Sequence, residues 1–220
     1  MSTKSIEIVG FYAGEPAAVK FGGQEMRTGI YKQAVEGRVW LSYERLAGNE
    51  VANKKYHGGE ARTVCVYSWE HYAHWQEQLG LELPPGGLGE NLTVRGLTEE
   101  EVCIGDIFQL GEAVVQVTQA RIPCGLIDMR NETKGLFQQT AVQAKSGYFF
   151  RTLEEGFVAK DSELTLIERD PQGVTVSFCM QTWYHDKENA GAIERILAVP
   201  ALADNWRGML EGQLEKLRGA

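Results

Sequence analysis

The sequence predicts a mainly β protein with some α: a barrel-like β domain over residues 1–170, then a small helical appendix over 171–220. Three observations carry this. Short apolar or β-branched runs recur through the first 170 residues, separated by glycine-rich turns. Few helical stretches lie between them, which argues against a doubly wound parallel sheet. Beyond Pro171-Gln172-Gly173 the apolar spacing changes to that of helices.

The elements follow in order. Ile6–Tyr12, Arg38–Leu41 and Arg62–Tyr67 read as strands. Trp69, Tyr72, Trp75 and Leu79 fall at helical spacing, with Ser68 as the expected N-cap and Gly80 as the stop. Asp106–Leu110 turns at Gly111-Glu112 into Ala113–Thr118, a hairpin. Leu136–Ala144 reads as helix, Tyr148–Arg151 and Glu163–Ile167 as strands. In the tail, Ile193 and Leu197 mark a short helix. Trp206, Leu210, Leu214 and Leu217 mark a longer one that Asp204 is expected to cap. Asp186, beside His185, is read as a further N-cap. Val174–Met180 is ambiguous on periodicity alone.

The chain has 220 residues, and 22 Lys and Arg against 30 Asp and Glu give a formal net charge of −8. That balance excludes a general binder of polymeric nucleic acid, but not a local basic pocket for a small anion. No apolar run is long enough to span a membrane. Met1–Glu7 lacks the apolar centre of a secretory signal, so a cytoplasmic protein is expected. Cys65, Cys103, Cys124 and Cys179 form no CxxC pair, which argues against a zinc knuckle or a thioredoxin-like centre.

Arg121-Ile122-Pro123-Cys124 stands directly behind the Ala113–Thr118 run. Pro123 fixes its own φ and biases Ile122 toward extended geometry, so the following thiol is held in one direction. Arg121 adds a permanent cation, and nearby cations favour thiolate. Cys124 is thus a candidate metal ligand or nucleophile, the alternative being a buried structural cysteine. The other three cysteines read as core. Arg121 offers a planar fork suited to anionic oxygen, or is a solvated strand end. His57-Gly58-Gly59 sets an imidazole beside backbone amides that an anion can approach, with Lys55 and Arg62 adding charge. Gly89-Glu90-Asn91 follows a segment of turn formers. Asn91 can donate and accept toward a heterocycle edge, whereas Glu90 is either a proton carrier or a turn carboxylate. His71 and His74 lack the glutamate of a zinc-protease helix and read as packing.

Lys55-Tyr56-His57-Gly58-Gly59 with Arg62, Gly89-Glu90-Asn91-Leu92, Gly105-Asp106 and Arg121-Ile122-Pro123-Cys124, in this order, resemble the MOSC family, named after the C-terminal domain of molybdenum cofactor sulfurase. The resemblance covers nearly the whole chain and is nearest to small stand-alone bacterial members of the YiiM type. Lys160-Asp161 and Asn49 depart from the family's usual Gly-Asp and acidic residues.

The resemblance implies a MOSC-type barrel-like fold with a three-helix appendix, which makes Val174–Met180 a helix. It implies a molybdenum cofactor (molybdopterin) with Cys124 as the metal ligand. Arg121 would be catalytic beside it, and Lys55, His57, Gly58, Gly59, Arg62, Gly89, Glu90 and Asn91 would hold the cofactor. It further implies reduction of small N-hydroxylated compounds such as 6-hydroxylaminopurine, with electrons from a separate reductase, since the chain has neither a dinucleotide fingerprint nor iron–sulfur cysteine spacing. The alternatives are a sulfur carrier with a persulfide on Cys124, or a non-catalytic carrier of the cofactor.

Overall fold

The computed structural model describes residues 6–219, with Tyr56 of the His-Gly-Gly segment described by its backbone alone. Of the stretch read as lacking a secretory signal, Met1–Ser5 lie outside the described residues. The strands are β1 (Glu7–Ala13), β2 (Ala17–Phe21), β3 (Gln24–Thr28), β4 (Gln33–Ala34), β5 (Val39–Leu41), β6 (Val64–Ser68), β7 (Leu92–Arg95), β8 (Ile107–Leu110), β9 (Ala113–Ala120), β10 (Tyr148–Glu154), β11 (Gly156–Val158) and β12 (Leu164–Glu168). The helices are α1 (Lys54–His57), α2 (Glu70–Leu79), α3 (Leu126–Asn131), α4 (Leu136–Val142), α5 (Val176–His185), α6 (Ala190–Leu197) and α7 (Asp204–Gly219). None of these helices is long and apolar enough to cross a membrane.

Eight strands form one curled sheet, a half-barrel, in the order β12-β8-β9-β10-β6-β7-β1-β4. All neighbours in it are antiparallel except β6 and β7. The barrel-like expectation is met as a half-barrel: β12 and β4 are opposite edges in the strand order. Alternation drives the pairing. Along β10, Tyr148, Phe150 and Thr152 are buried while Phe149, Arg151 and Leu153 are only partly so.

α5, α6 and α7 supply the expected helical appendix, and Thr175 caps α5 by accepting from the Phe178 amide at 3.0 Å. These helices share the sheet's core. Val176, Met180, Ile196, Trp206 and Leu210 pack in one cluster with Val115, Val117 and Ala120 of β9. Trp206 Nε1 donates to the Ala120 carbonyl at 2.9 Å, and the Ala203 amide to Thr118 at 3.0 Å. The end of β9, just ahead of Arg121, is therefore clamped from the tail.

Three expected caps lie elsewhere. Ser68 ends β6 and donates to the Leu97 carbonyl, because the strand runs through it before α2 begins. Asp186 closes α5, and Asn189 caps α6 by accepting from the Ala192 amide at 3.0 Å. Asp204 lies inside the first turn of α7. Gly80 does stop α2, in the left-handed conformation at φ 67°.

Candidate active site

Arg121 lies just past the C-terminal end of β9, an interior strand of the sheet, and Pro123 and Cys124 follow. The Arg121 amide donates to the Gly147 carbonyl at 3.0 Å, which fixes the backbone. Its side chain is 8% exposed, and Nη2 donates to the Leu88 carbonyl at 2.6 Å. Nη1 is buried and has no hydrogen-bond partner. A buried guanidinium nitrogen left bare costs desolvation energy unless a ligand completes it. Cys124 is partly exposed, with a free thiol, and its carbonyl accepts from Ile127 as α3 begins.

Arg121 sits in a charged cluster. Burial lowers its pKa, but the neighbouring Cys65, Cys124 and Glu90 outweigh that and raise it, so the positive charge is held. His57 at the end of α1 is shifted down, first by burial and then by Arg121, Arg62 and Lys32. Arg62 follows in a short 3-10 turn, where its Nε donates to Gln119 Oε1 at 3.2 Å. The structure thus brings Arg121, Cys124, His57 and Arg62 into one neighbourhood from two separate segments.

The sequence reading missed Lys32 and Arg130. Lys32 follows the β2–β3 hairpin, and its Nζ donates to the Gly29 carbonyl at 3.2 Å. Burial first, with Arg121 and Arg130 adding to it, lowers its pKa to about 8. Arg130 on α3 donates to the carbonyls of Ile30 and Gly87, both at 3.3 Å. A single lysine after a turn has no sequence signature, and α3 itself was not expected.

Other candidates sit one layer back. Glu90 is fully buried and accepts from the Gly86 amide (3.0 Å), the Leu88 amide (3.1 Å), Thr93 Oγ1 (2.7 Å) and Tyr72 Oη. It ties down the loop whose Leu88 carbonyl holds Arg121. Asn91 bridges strands: Oδ1 accepts from the Cys65 amide at 3.0 Å, and Nδ2 donates to Tyr12 at 2.9 Å. Gly89 adopts φ 80°, and a Cβ there would stand 2.7 Å from Ile30 Cγ1, so glycine lets the loop lie against the segment carrying Lys32. The Gly58 amide donates to the Lys54 carbonyl at 3.2 Å and closes α1. Gly59, at φ 105°, has open space around it. Lys55 is exposed on α1. Cys65 is buried as expected, yet close enough to Arg121, Lys32 and Cys124 to feel their charge, and burial pushes its thiol up.

Two cavities flank the cluster, and neither is lined by Cys124. One of about 250 Å³ lies against α1, bordered by Asn49, His57, Gly58, Gly59 and Arg62. The other, about 390 Å³, is bordered by Tyr31, Leu83, Arg130 and Glu132 among others.

Among the described residues no group of three or more His, Cys, Asp or Glu side chains could hold a metal ion unaided. The donors present are one accessible thiol and an excess of cations. That set fits a metal that arrives bound to an anionic organic group and takes a single ligand from the protein.

A half-barrel with this site defines a MOSC domain, which matches residues 53–165. The chain belongs to the MOSC family, and its C-terminal helices match the YiiM-like 3-alpha helix domain over residues 174–217. Protein YflK of Bacillus subtilis (strain 168) is 39% identical over 217 residues, 99% of this chain and 98% of YflK. The crystal structure of YiiM from Geobacillus stearothermophilus superposes with a TM-score of 0.81 at 32% identity, covering 95% of this chain and 99% of that one. A protein of Gibberella moniliformis named a reductase is 34% identical over 155 residues, 67% of this chain but 27% of that protein.

Proposed function

We propose that this chain binds a molybdenum–pterin cofactor through Cys124 and reduces N-hydroxylated bases to the corresponding amines. The observation that carries the reading is the bare, buried Nη1 of Arg121 beside the partly exposed, free Cys124. MOSC membership supports the cofactor, and the relative named a reductase supports electron transfer to a substrate.

When bound, the cofactor supplies a two-electron centre; the protein binds, orients and neutralises. The overall change is R–NH–OH plus two electrons and two protons giving R–NH2 and water. Cys124 would give its sulfur to the metal. Arg121 would offer Nη1 to anionic oxygen, and Lys32 and Arg62 would offset the remaining negative charge. Lys32, poised near pH 8, can also hold a proton for the departing oxygen. His57, its pKa pushed down by burial and the nearby cations, would offer a ring nitrogen as a hydrogen-bond acceptor. Electrons come from a separate reductase, and in the Gibberella relative the matched stretch belongs to a longer chain named for that activity.

The test is reduction of 6-hydroxylaminopurine by the full chain, purified from a molybdenum-replete host, with a reduced viologen dye as donor. Product amine with dye oxidation is expected, and Arg121→Lys, which keeps the charge but loses the fork, lowers the rate roughly 100-fold. Metal-loaded protein that leaves the dye reduced would contradict the reading. A stable added sulfur on Cys124 without metal would favour the sulfur-carrier alternative.

A further inference from the structure

We infer that the larger cavity, between Tyr31 and the end of α3, is the subsite for the substrate's ring, and that it takes a flat nitrogen heterocycle whose ring N–H is accepted by Glu132. This rests on the proposed reductase reading and adds to it the residues that select the substrate.

Size and lining come first. At about 390 Å³ the cavity lies in the range of small-molecule sites. Leu81, Leu83 and Pro84 give it an apolar wall, and Tyr31, 39% exposed, faces it as an aromatic one. Arg130 stands 5.7 Å from the Tyr31 ring centroid and holds its position through the Ile30 and Gly87 carbonyls. Apolar and aromatic walls of this kind suit a planar ring.

Position comes second. α3 begins two residues after Cys124 and ends at this cavity, and from Leu126 to Arg130 the helix rises about 6 Å, at 1.5 Å per residue. On this inference the base lies in the cavity with its hydroxylamino edge toward the Cys124 end of α3 and its opposite edge outward.

The backbone of Glu132 supplies an independent observation. This residue closes α3 at φ 53° and ψ 36°, in the left-handed region where glycine or asparagine is favoured. A glutamate there is conformationally disfavoured, and the residue borders the cavity. Glu82 also borders it, so the lining sets two acidic residues against the single cation Arg130. That argues against the cofactor's anionic end, whose natural place is among Lys32, Arg62 and Arg121, and for a ligand that presents N–H donors.

Titration calorimetry of the full chain with adenine and with 9-methyladenine, which lacks the ring N–H, tests the inference. Adenine is expected to bind roughly tenfold more tightly, one charge-assisted hydrogen bond's worth. Tyr31→Ala should weaken adenine by a similar factor. Glu132→Gly should melt at or above the wild-type temperature while losing the preference for adenine, a combination that a purely structural glutamate would not give. Equal affinity for both purines, or a preference that survives Glu132→Gly, would overturn the subsite. So would a Tyr31→Ala protein that loses pterin but binds adenine as before, because the ring would then be the cofactor's. Molybdenum content is read separately: an adenine preference in protein that never acquires metal would remove the proposed reaction and leave the subsite standing.

Discussion

Arg121, 8% exposed, with one terminal guanidinium nitrogen bonded to Leu88 and the other terminal nitrogen bare, is held at a cost that a ligand would offset. Lys32 makes the cost larger. Its pKa falls from 10.5 to about 8, chiefly through burial, so between these values the unfolded chain binds more protons than the folded one. Stability contributed by this group therefore rises with pH across the window from about 8 to 10.5, and the penalty is full below pH 8. Lys32→Met should stabilise the cofactor-free chain by about 1–3 kcal/mol near pH 7 while lowering its pterin content. Denaturant melts at pH 7 and pH 10 check this. The variant's advantage should shrink at the higher pH, and an advantage independent of pH would refute the assignment. Cys124 and Arg121 were legible because proline and strand end fix them in sequence. Lys32 was not, because its burial is made by residues distant in the chain.

Among elements, the Gly86–Asn91 loop determines whether Arg121 points correctly. Glu90 gathers two amides and two hydroxyls there, so its loss frees the Leu88 carbonyl that holds the guanidinium. Glu90→Ala should cost roughly 2–4 kcal/mol in urea melts and reduce cofactor retention together with stability. Gly89→Ala should cost about 1–3 kcal/mol, since it combines a φ of 80° with a close approach to Ile30. Full stability in either variant would show the loop to be slack. The sequence marks this loop through its turn formers and offers Glu90 as a turn carboxylate, but leaves that role level with a proton carrier, because only the fold shows which donors the carboxylate meets. The β2–β3 hairpin was overlooked although its signal is local: Gly22 and Gly23, both at positive φ, make the two-residue turn between paired strands. The caps were misplaced by a residue or more because Ser68, Asp186 and Asp204 have nearby competitors that only tertiary packing decides between.

For the whole molecule, the change of texture at Pro171-Gln172-Gly173 marks where strands give way to helices, while the core passes straight through it. Trp206 reaches back to the last residue of β9, one position before Arg121. Trp206→Ala should therefore cost about 3–5 kcal/mol and disturb the site at a distance, seen as lost cofactor in protein that still folds. Wild-type cofactor content in a destabilised Trp206→Ala protein would show that the tail stabilises without positioning. Alternation and glycine turns made the half-barrel legible, and the spacing of Trp206, Leu210 and Leu214 made α7 legible. Convergence of three distant segments on one cation cluster was not, since no local pattern encodes which turns meet.

Molybdenum and pterin quantified in full-length protein from a molybdenum-replete host, beside Cys124→Ala prepared identically, test the central claim most directly. One metal and one pterin per chain in the wild type, with the metal lost from the variant, is the expected result. Protein that carries neither, or a variant that retains both in full, would contradict it.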